Sequence, residues 1–465
     1  MLPQGVRMKK FFKASRPEWL LVGLLAVLAP VDAPAETGDV SHKLTVKSFI
    51  DFGHLVSGDN PYGPGASIDA HPSMLPLNRT GVTVIQESAL NRFDVSVGLT
   101  GLIWWPYGGG ITDPIERVMN VKPMIPIARA RWQFGSQASV AGAFLVGTFP
   151  YKYNPDAKDL GEYLYRGGTY PGFLTSTEGW LLMNRASNYS HGALLSLSQM
   201  NGKLKHNFSL FMETQYYPVG DFSPGYDFSF TQKWFEIGGG VVLNHYLSSR
   251  PSALTPKAAD NTYITGHVKD SAGTVSEITW LSNSPPTDTI KDTVKIGHWT
   301  LKGAKVMARA ALNLGSLLPE NIRGSEDLRI FTEVAILGVK DYPIYYNDRT
   351  RRMPIMAGIN LPTAKLLDVL SLQVEYYKSL YNDIQQFNVN SLPVWQTATT
   401  DSVTRDDWKW SIYAKKSVNK LVTVYAQAAD DHFRLTDGHY KVSSVPLTSS
   451  LSDWYYLIRL EFALR

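Results

Sequence analysis

The chain has 465 residues, a formal net charge of +4, 12% aromatic residues and no cysteine. A chain without cysteine has neither a disulfide scaffold nor thiolate metal ligands. Because part of the positive charge falls in a short amino-terminal segment, the remainder is nearly neutral, and nothing in it predicts binding to nucleic acid.

The first 35 residues have the three parts of a secretory signal peptide. A basic stretch contains Lys9, Lys10 and Lys13, an apolar core follows over 19–29, and residues 33–35 read A-P-A, a typical cleavage site. The alternative, a retained inner-membrane anchor, needs a longer apolar run of roughly 18 or more residues. We therefore predict a signal peptide over 1–35 and a mature chain over 36–465.

The mature chain is long enough for two or three soluble domains, but a large β-barrel uses this length as one domain. No later stretch is apolar enough for a membrane helix. Instead, successive segments alternate between apolar and polar residues with the period of two that strands have. The predicted strands are 43–54, 81–88, 91–104, 125–134, 138–150, 192–200, 203–214, 227–236, 240–248, 300–313, 327–339, 353–361, 368–380, 408–416, 419–429 and 453–465.

The last of these segments shows the alternation most clearly. An apolar face backed by a charged face at the end of an exported chain predicts a transmembrane β-barrel that closes on its last strand. A soluble periplasmic β-sandwich fits the same alternation, because periodicity does not say which face is buried. The apolar face carries Trp454, Tyr456, Ile458, Leu460, Phe462 and Leu464, and the other face carries Tyr455, Leu457, Arg459, Glu461 and Arg465.

The connections between the predicted strands alternate in length. Outer-membrane barrels have long external loops, short periplasmic turns and an even number of strands. Asn201-Gly202 and Gly238-Gly239 are predicted as tight turns, since Asn-Gly and Gly-Gly favour two-residue hairpins. The long connections include 54–80, 105–124, 151–191 and 249–299.

Aromatic residues cluster where strands meet long connections, as at Trp104-Trp105, Tyr151, Tyr345-Tyr346 and Trp408. Rings with a polar edge settle at the lipid headgroups, so the clusters indicate an aromatic girdle. The alternative is that Tyr and Trp occur here as ordinary strand formers.

On its alternating strands, connection lengths and aromatic band, the chain resembles the porin-like outer-membrane β-barrel proteins of Gram-negative bacteria. The resemblance extends from about Lys43 to the carboxyl terminus. It implies an all-β fold, a transmembrane antiparallel barrel of about 16 strands in the bacterial outer membrane, with membrane lipid as a partner. One departure is that such proteins commonly end on an aromatic residue, whereas Phe462 is followed by three further residues.

Charged residues on the polar side of the strands are the candidate pore lining, because a charge facing lipid at the midplane costs about 2–4 kcal/mol. Rings of basic groups select anions and rings of acidic groups select cations, and here the two signs are nearly balanced. The alternative is that they pair across neighbouring strands and brace the wall. The candidates are Arg129, Arg131, Lys305, Arg309, Arg329, Lys409 and Arg459 among the basic residues, and Asp94, Glu213, Glu333, Glu375 and Glu461 among the acidic ones.

The connections 151–191 and 249–299 are long enough to fold inward and narrow a pore. Tyr163, Tyr165, Arg166, Tyr170 and Arg185 in the first would then give sugars or anions an aromatic and cationic surface. A solvated surface cap is the alternative.

No sequence motif predicts catalysis, a cofactor or a metal site. Ser190-His191 are adjacent in a predicted strand and cannot face each other, and His206 and His245 lack paired ligands. The sequence predicts a passive channel for small hydrophilic solutes and no enzyme. A plugged or narrow barrel that binds a surface partner through its long loops is the alternative, and assembly as a homo-oligomer is left open.

Overall fold

The computed structural model describes residues 40–58, 78–104, 121–136, 139–165, 188–213, 220–249, 262–282, 284–298, 300, 302–341, 348–378, 408–433, 448 and 451–464. The predicted signal peptide and the predicted contact residues Arg166, Tyr170 and Arg185 lie outside this set. Within it, no helix is both long enough and apolar enough to cross a bilayer.

The regular secondary structure of the described residues is almost entirely β-strand. Two 3-10 helices, Gly315–Leu317 and Arg349–Arg352, lie in connections. The strands are β1 Ser41–Ser57, β2 Arg79–Leu90, β3 Phe93–Trp104, β4 Val121–Gly135, β5 Val140–Tyr151, β6 Asn188–Gln199, β7 Leu204–Met212, β8 Phe222–Thr231, β9 Phe235–Asn244, β10 Thr262–Lys269, β11 Val275–Leu281, β12 Thr289–His298, β13 Gly303–Asn313, β14 Arg329–Ile336, β15 Ile355–Asn360, β16 Val369–Tyr376, β17 Trp408–Ser417, β18 Val422–Asp430 and β19 Trp454–Leu464.

Sixteen of the described strands form one closed antiparallel barrel, in the order β1-β19-β18-β17-β16-β15-β14-β13-β9-β8-β7-β6-β5-β4-β3-β2. The seam is the pairing of the first and last strands, in which Asp51 lies opposite Arg459. Both the barrel and its sixteen strands confirm the prediction from sequence. A closed barrel leaves no free edge, which is why a sheet of this kind can cross a membrane.

The exposure of apolar and charged side chains on the two faces of the wall is the reverse of that in a soluble protein. On β19, Tyr456, Ile458 and Phe462 are exposed, whereas Leu457 and the charged Arg459 are each 1% exposed. The apolar face is therefore outside and the polar face inside, which requires hydrocarbon rather than water around the barrel. The β-sandwich alternative is wrong, because no second layer covers the apolar face of the described strands.

The tight turn predicted at Asn201-Gly202 is confirmed, with both residues at positive φ (56° and 84°). The turn predicted at Gly238-Gly239 is wrong, because both glycines lie inside β9. A glycine within a strand marks close approach by another group. A Cβ on Gly238 would lie 2.9 Å from Nε of Arg309, so the missing side chain makes room for a guanidinium inside the barrel.

The connection predicted as a loop over 249–299 carries a sheet of its own. β10 pairs with β11 on one side and β12 on the other. The outer strand β12 is exposed along most of its length. This three-stranded sheet is separate from the barrel ladder, which passes directly from β9 to β13.

Candidate functional site

Residues 152–165, here termed the inward segment, leave β5 and fold against the inside of the barrel. Ala157, Leu160 and Tyr163 are each 0% exposed, although they lie in no regular element. Of the two alternatives left open by the sequence, inward folding and a surface cap, the described part of the connection after β5 folds inward. The segment shares an apolar cluster with inward-facing side chains of the wall, including Leu194, Phe211, Met307, Phe331 and Met356.

Glu333 of β14 is the principal anchor of the inward segment. Its Oε1 accepts hydrogen bonds from the Tyr153 hydroxyl (2.5 Å) and the Tyr163 amide (3.0 Å). Its Oε2 accepts from the Asn154 side-chain amide (2.5 Å) and the Glu162 amide (3.1 Å). Four donors directed at one fully buried carboxylate compensate its lost hydration and fix the segment on the wall.

A chain of ion pairs that runs from β13 through β9 to β14 also holds this segment. Arg309 Nη2 lies 2.5 Å from Glu236 Oε1, and Glu236 Oε2 lies 3.0 Å from Arg329 Nη2. Arg329 in turn contacts both carboxylate oxygens of Asp156 in the segment, at 2.5 and 2.7 Å. The bidentate contact sets the direction of the segment as well as its distance from the wall.

Lys152 and Glu162 of the segment influence each other's pKa; Glu162 is 0% exposed and Lys152 is partly buried. Burial lowers the pKa of Lys152 to about 8, against the opposing influence of Glu162. Burial also raises the pKa of Glu162 well above its usual range, opposed by Lys152 and reinforced by Glu333. Each group favours the other's charged form, but burial outweighs this attraction at both, so docking of the segment favours the neutral forms of Lys152 and Glu162.

A second turn, residues 431–433 after β18, also folds against the inner wall. Asp431 accepts hydrogen bonds from the Tyr455 hydroxyl (2.9 Å) and the Phe433 amide (2.9 Å). The Phe433 and Tyr455 rings lie 5.6 Å apart. Nearby, Lys409 of β17 donates to Asp430 Oδ1 at 2.7 Å.

The seam of the barrel carries a buried charge cluster. Arg459 donates to both oxygens of Asp51, at 2.5 and 2.6 Å, and Arg79 Nε donates to Asp51 Oδ2 at 2.8 Å. Each of the three residues is less than 10% exposed. The cluster joins β19, β1 and β2 across the closing strand pair.

The strands β1–β4 and β19 present charged side chains that remain accessible. The Lys47 and Arg131 side chains are 39% and 36% exposed, and Glu87 is 35% exposed. The pairs Lys47–Glu461 and Arg129–Glu87 are open, with 3.9 Å between their charged atoms. This inner surface, here termed the accessible wall, contrasts with the wall beneath the inward segment.

The structure places the predicted candidates in separate groups rather than in one ring. Arg129, Arg131 and Glu461 lie on the accessible wall, and Asp94 is buried beside Arg131. Arg309, Arg329, Glu333 and Glu375 contact the inward segment or its ion-pair chain, and Lys305 interacts electrostatically with Glu213. Lys409 and Arg459 each pair with an aspartate.

Several residues that organise the lumen were not predicted as candidates, notably Asp51, Asp156, Glu236 and His432. Asp51 had a usable signal, because it alternates with the apolar face of the first strand. Asp156 and His432 lie in connections, where no periodicity reports which way a side chain points. Among the described residues, no group of three His, Asp or Glu side chains could hold a metal ion.

A closed barrel with an apolar exterior, a polar interior and inward-folded connections defines an outer-membrane β-barrel of the bacterial, porin-like kind. No known family profile matches the chain, and no curated protein matches its sequence. Similar solved structures include a mutant of the Rh. blastica porin. It is 7% identical in sequence, the match covers 91% of this chain and 100% of that chain, and the TM-score is 0.43. A second is Salmonella typhi OmpF in complex with daunomycin, at 11% identity, covering 91% of this chain and 97% of that chain, with a TM-score of 0.46. A third is an anion-selective porin from Comamonas acidovorans, at 10% identity, covering 92% of this chain and 100% of that chain, with a TM-score of 0.41.

Proposed function

We propose that the protein is a passive diffusion channel for small hydrophilic solutes. A barrel of this strand number encloses more space than its own wall side chains fill. The observation that carries the proposal is the division of the lumen: apolar wall residues are covered by the inward segment, whereas charged residues of the accessible wall remain in contact with solvent.

The proposed path runs along the accessible wall. Lys47, Glu87, Arg129 and Arg131 all lie on inward-facing positions there, and Glu461 extends the surface onto β19. Charged groups of both signs favour hydrated solutes and exclude apolar ones. Solutes would pass by diffusion, with no covalent step, and with a preference set by these exposed charges rather than by the buried ion pairs.

Ion conductance of the purified protein in planar bilayers tests the proposal. Absence of current at every voltage would refute it. Because the chain has no cysteine, single cysteines can then locate the path without background labelling.

Lys47→Cys and Arg131→Cys should react with a charged, membrane-impermeant thiol reagent, and the reaction should reduce the current. Val97→Cys is the matched control, since Val97 is 47% exposed on the outer face of β3. Equal reduction at Val97, or no reduction at Lys47 and Arg131, would contradict the proposed path.

The separate sheet β10–β12 supports a second candidate function, a barrel that binds a surface partner through this sheet. β12 has exposed apolar side chains at Ile290, Val294 and Ile296. Replacing residues 262–298 by a short Gly-Ser linker separates the two functions. A channel should conduct as before, whereas a binding protein with a blocked lumen should show no current before or after the replacement.

A further inference from the structure

Three connections lie close together on the rim of the barrel that carries the short turns. They are residues 314–328 between β13 and β14, 361–368 between β15 and β16, and 418–421 between β17 and β18. The first residues of β1 and the last residues of β19 lie on the same rim. In outer-membrane barrels the short turns face the periplasm, so these connections lie beside the lipid leaflet on that side.

Lysine side chains join the three connections to one another. Lys416 Nζ donates to the carbonyl oxygen of Lys365 at 2.8 Å, and Lys365 Nζ donates to that of Glu320 at 3.3 Å. Each contact uses one of the three donors of an ammonium group, so both lysines keep donors for a ligand. Lys420 is exposed in the neighbouring turn. In the part of the chain that the structure describes, no carboxylate forms an ion pair with any of these three lysines.

The acidic residues of the three connections do not cancel this positive charge. Asp368 is close enough to Lys416 to interact with its charge, and it also accepts a hydrogen bond from the Ser417 amide at 2.7 Å. The other acidic residues are paired with a different base or buried: Glu320 with Arg323, Glu326 with Lys158, and Asp327, which is 2% exposed. At the exposed surface, three ammonium groups therefore face a single carboxylate.

Large apolar side chains are exposed beside these lysines. Leu366 is 76% exposed, Val418 61% and Leu421 50%. Connections in contact with water ordinarily carry polar residues, so this composition calls for an apolar neighbour. Lys416 and Ile412 lie on the same face of β17, because side chains four positions apart in a strand point the same way. The basic and apolar surface thus continues the lipid-facing side of the wall.

We propose that these three connections bind the headgroup of an anionic phospholipid in the leaflet that faces the periplasm. The ammonium groups of Lys365, Lys416 and Lys420 contact its phosphate, and Leu366 and Leu421 contact its acyl chains. Positive charge selects an anionic over a zwitterionic lipid, and apolar contact selects a lipid over a soluble anion. The site lies outside the lumen, so it does not depend on the channel function proposed above.

The test is competition between two lipids for the full chain, purified in detergent. The protein is mixed with equal amounts of phosphatidylglycerol and phosphatidylcholine that have the same acyl chains, and native mass spectrometry measures which lipid is bound. Phosphatidylglycerol should be preferred by about tenfold or more, since each basic group near an anionic surface contributes about fivefold. The triple variant Lys365→Gln, Lys416→Gln and Lys420→Gln should show no preference.

The matched control removes three positive charges from the separate sheet, with Lys269→Gln, Lys291→Gln and Lys295→Gln, and should keep the preference. Lys420→Gln alone removes none of the contacts that join the connections and should lower the preference about fivefold. No preference in the unmodified protein, or an unchanged preference in the triple variant at the rim, would overturn the proposal. Sodium phosphate should not compete with phosphatidylglycerol. Competition would mean that the site binds a soluble anion and would overturn the lipid assignment.

Discussion

Glu333 shows how one side chain can determine the shape of the lumen. Its two oxygens accept four hydrogen bonds from the inward segment, two from side chains and two from backbone amides. A carboxylate suits this position because it offers only acceptors, whereas an amide of the same shape would turn a donor toward two of the four partners.

Glu333→Gln is therefore expected to loosen the inward segment by about 1–3 kcal/mol without unfolding the barrel. Limited proteolysis of the folded protein in detergent should cleave residues 152–165 faster in this variant. Glu461→Gln is the control, because Glu461 lies on β19, 3.9 Å from Lys47, and not on the strand that anchors the segment. Equal cleavage of the two variants would show that Glu333 does not anchor the segment.

Lys152 gives the docking of the inward segment a dependence on pH. Burial lowers its pKa to about 8, below the ordinary 10.5, so the detached segment binds more protons than the docked one between these values. Docking should therefore strengthen as pH rises through this window. Protease protection of the segment should be compared between the unmodified protein and Lys152→Met, because the difference between them removes the effect of other titrating groups. This difference should increase from pH 8 to 10.5. A pH-independent difference would contradict the assignment.

At the scale of the elements, β9 shows what alternation can and cannot predict. The run Gly238-Gly239-Gly240 has the composition of a turn, yet it lies in the middle of a strand. The reason is tertiary, since a Cβ on Gly240 would lie 2.7 Å from Cδ1 of Leu164 in the inward segment. No pattern within the strand itself reports that a distant connection will pack there.

Gly240→Ala is expected to push Leu164 away and to weaken docking of the inward segment. The new Cβ could not avoid Leu164 by moving toward the wall, because it would also lie 2.9 Å from the carbonyl oxygen of Tyr226. Gly101→Ala on β3 should be neutral, since its Cβ meets nothing within 4 Å. Hydrogen exchange of residues 153–165 distinguishes the two. Unchanged exchange in Gly240→Ala would mean that the segment is held by its polar contacts alone.

The barrel strands were predictable because each of the sixteen alternates outward-facing apolar residues with inward-facing polar residues, with the same period of two. The site was less predictable because its geometry comes from connections. Alternation placed Arg329 and Glu333 on the polar face of β14, but nothing in that strand indicated Asp156 or Tyr153 as partners. Pairing across 170 or more positions is a property of the folded barrel.

For the whole molecule, closure depends on the seam between β1 and β19. Arg459→Met removes the partner that contacts both oxygens of Asp51 and leaves that carboxylate buried with Arg79 alone. Breaking a buried pair in this way typically costs about 3–5 kcal/mol. Urea unfolding from lipid vesicles should show this loss. Lys47→Met is the control, because Lys47 lies on the same strand pair but is 39% exposed, and it should lower the free energy of unfolding by less than about 1 kcal/mol. Equal losses in the two variants would show that the buried seam cluster has no special role in closure.

The orientation of the whole wall can be tested with two adjacent residues of β2. Val84 is 38% exposed on the outer face, whereas its neighbour Thr83 points inward and hydrogen-bonds Thr100 at 2.8 Å. Val84→Lys places a charge against hydrocarbon and should destabilise the barrel in vesicles by about 2–4 kcal/mol if the position is near the midplane. Thr83→Lys places the same charge in the polar interior and should cost much less. Urea titration in vesicles gives both values, and a larger loss for Thr83→Lys would mean that the apolar face of the barrel is not its lipid face.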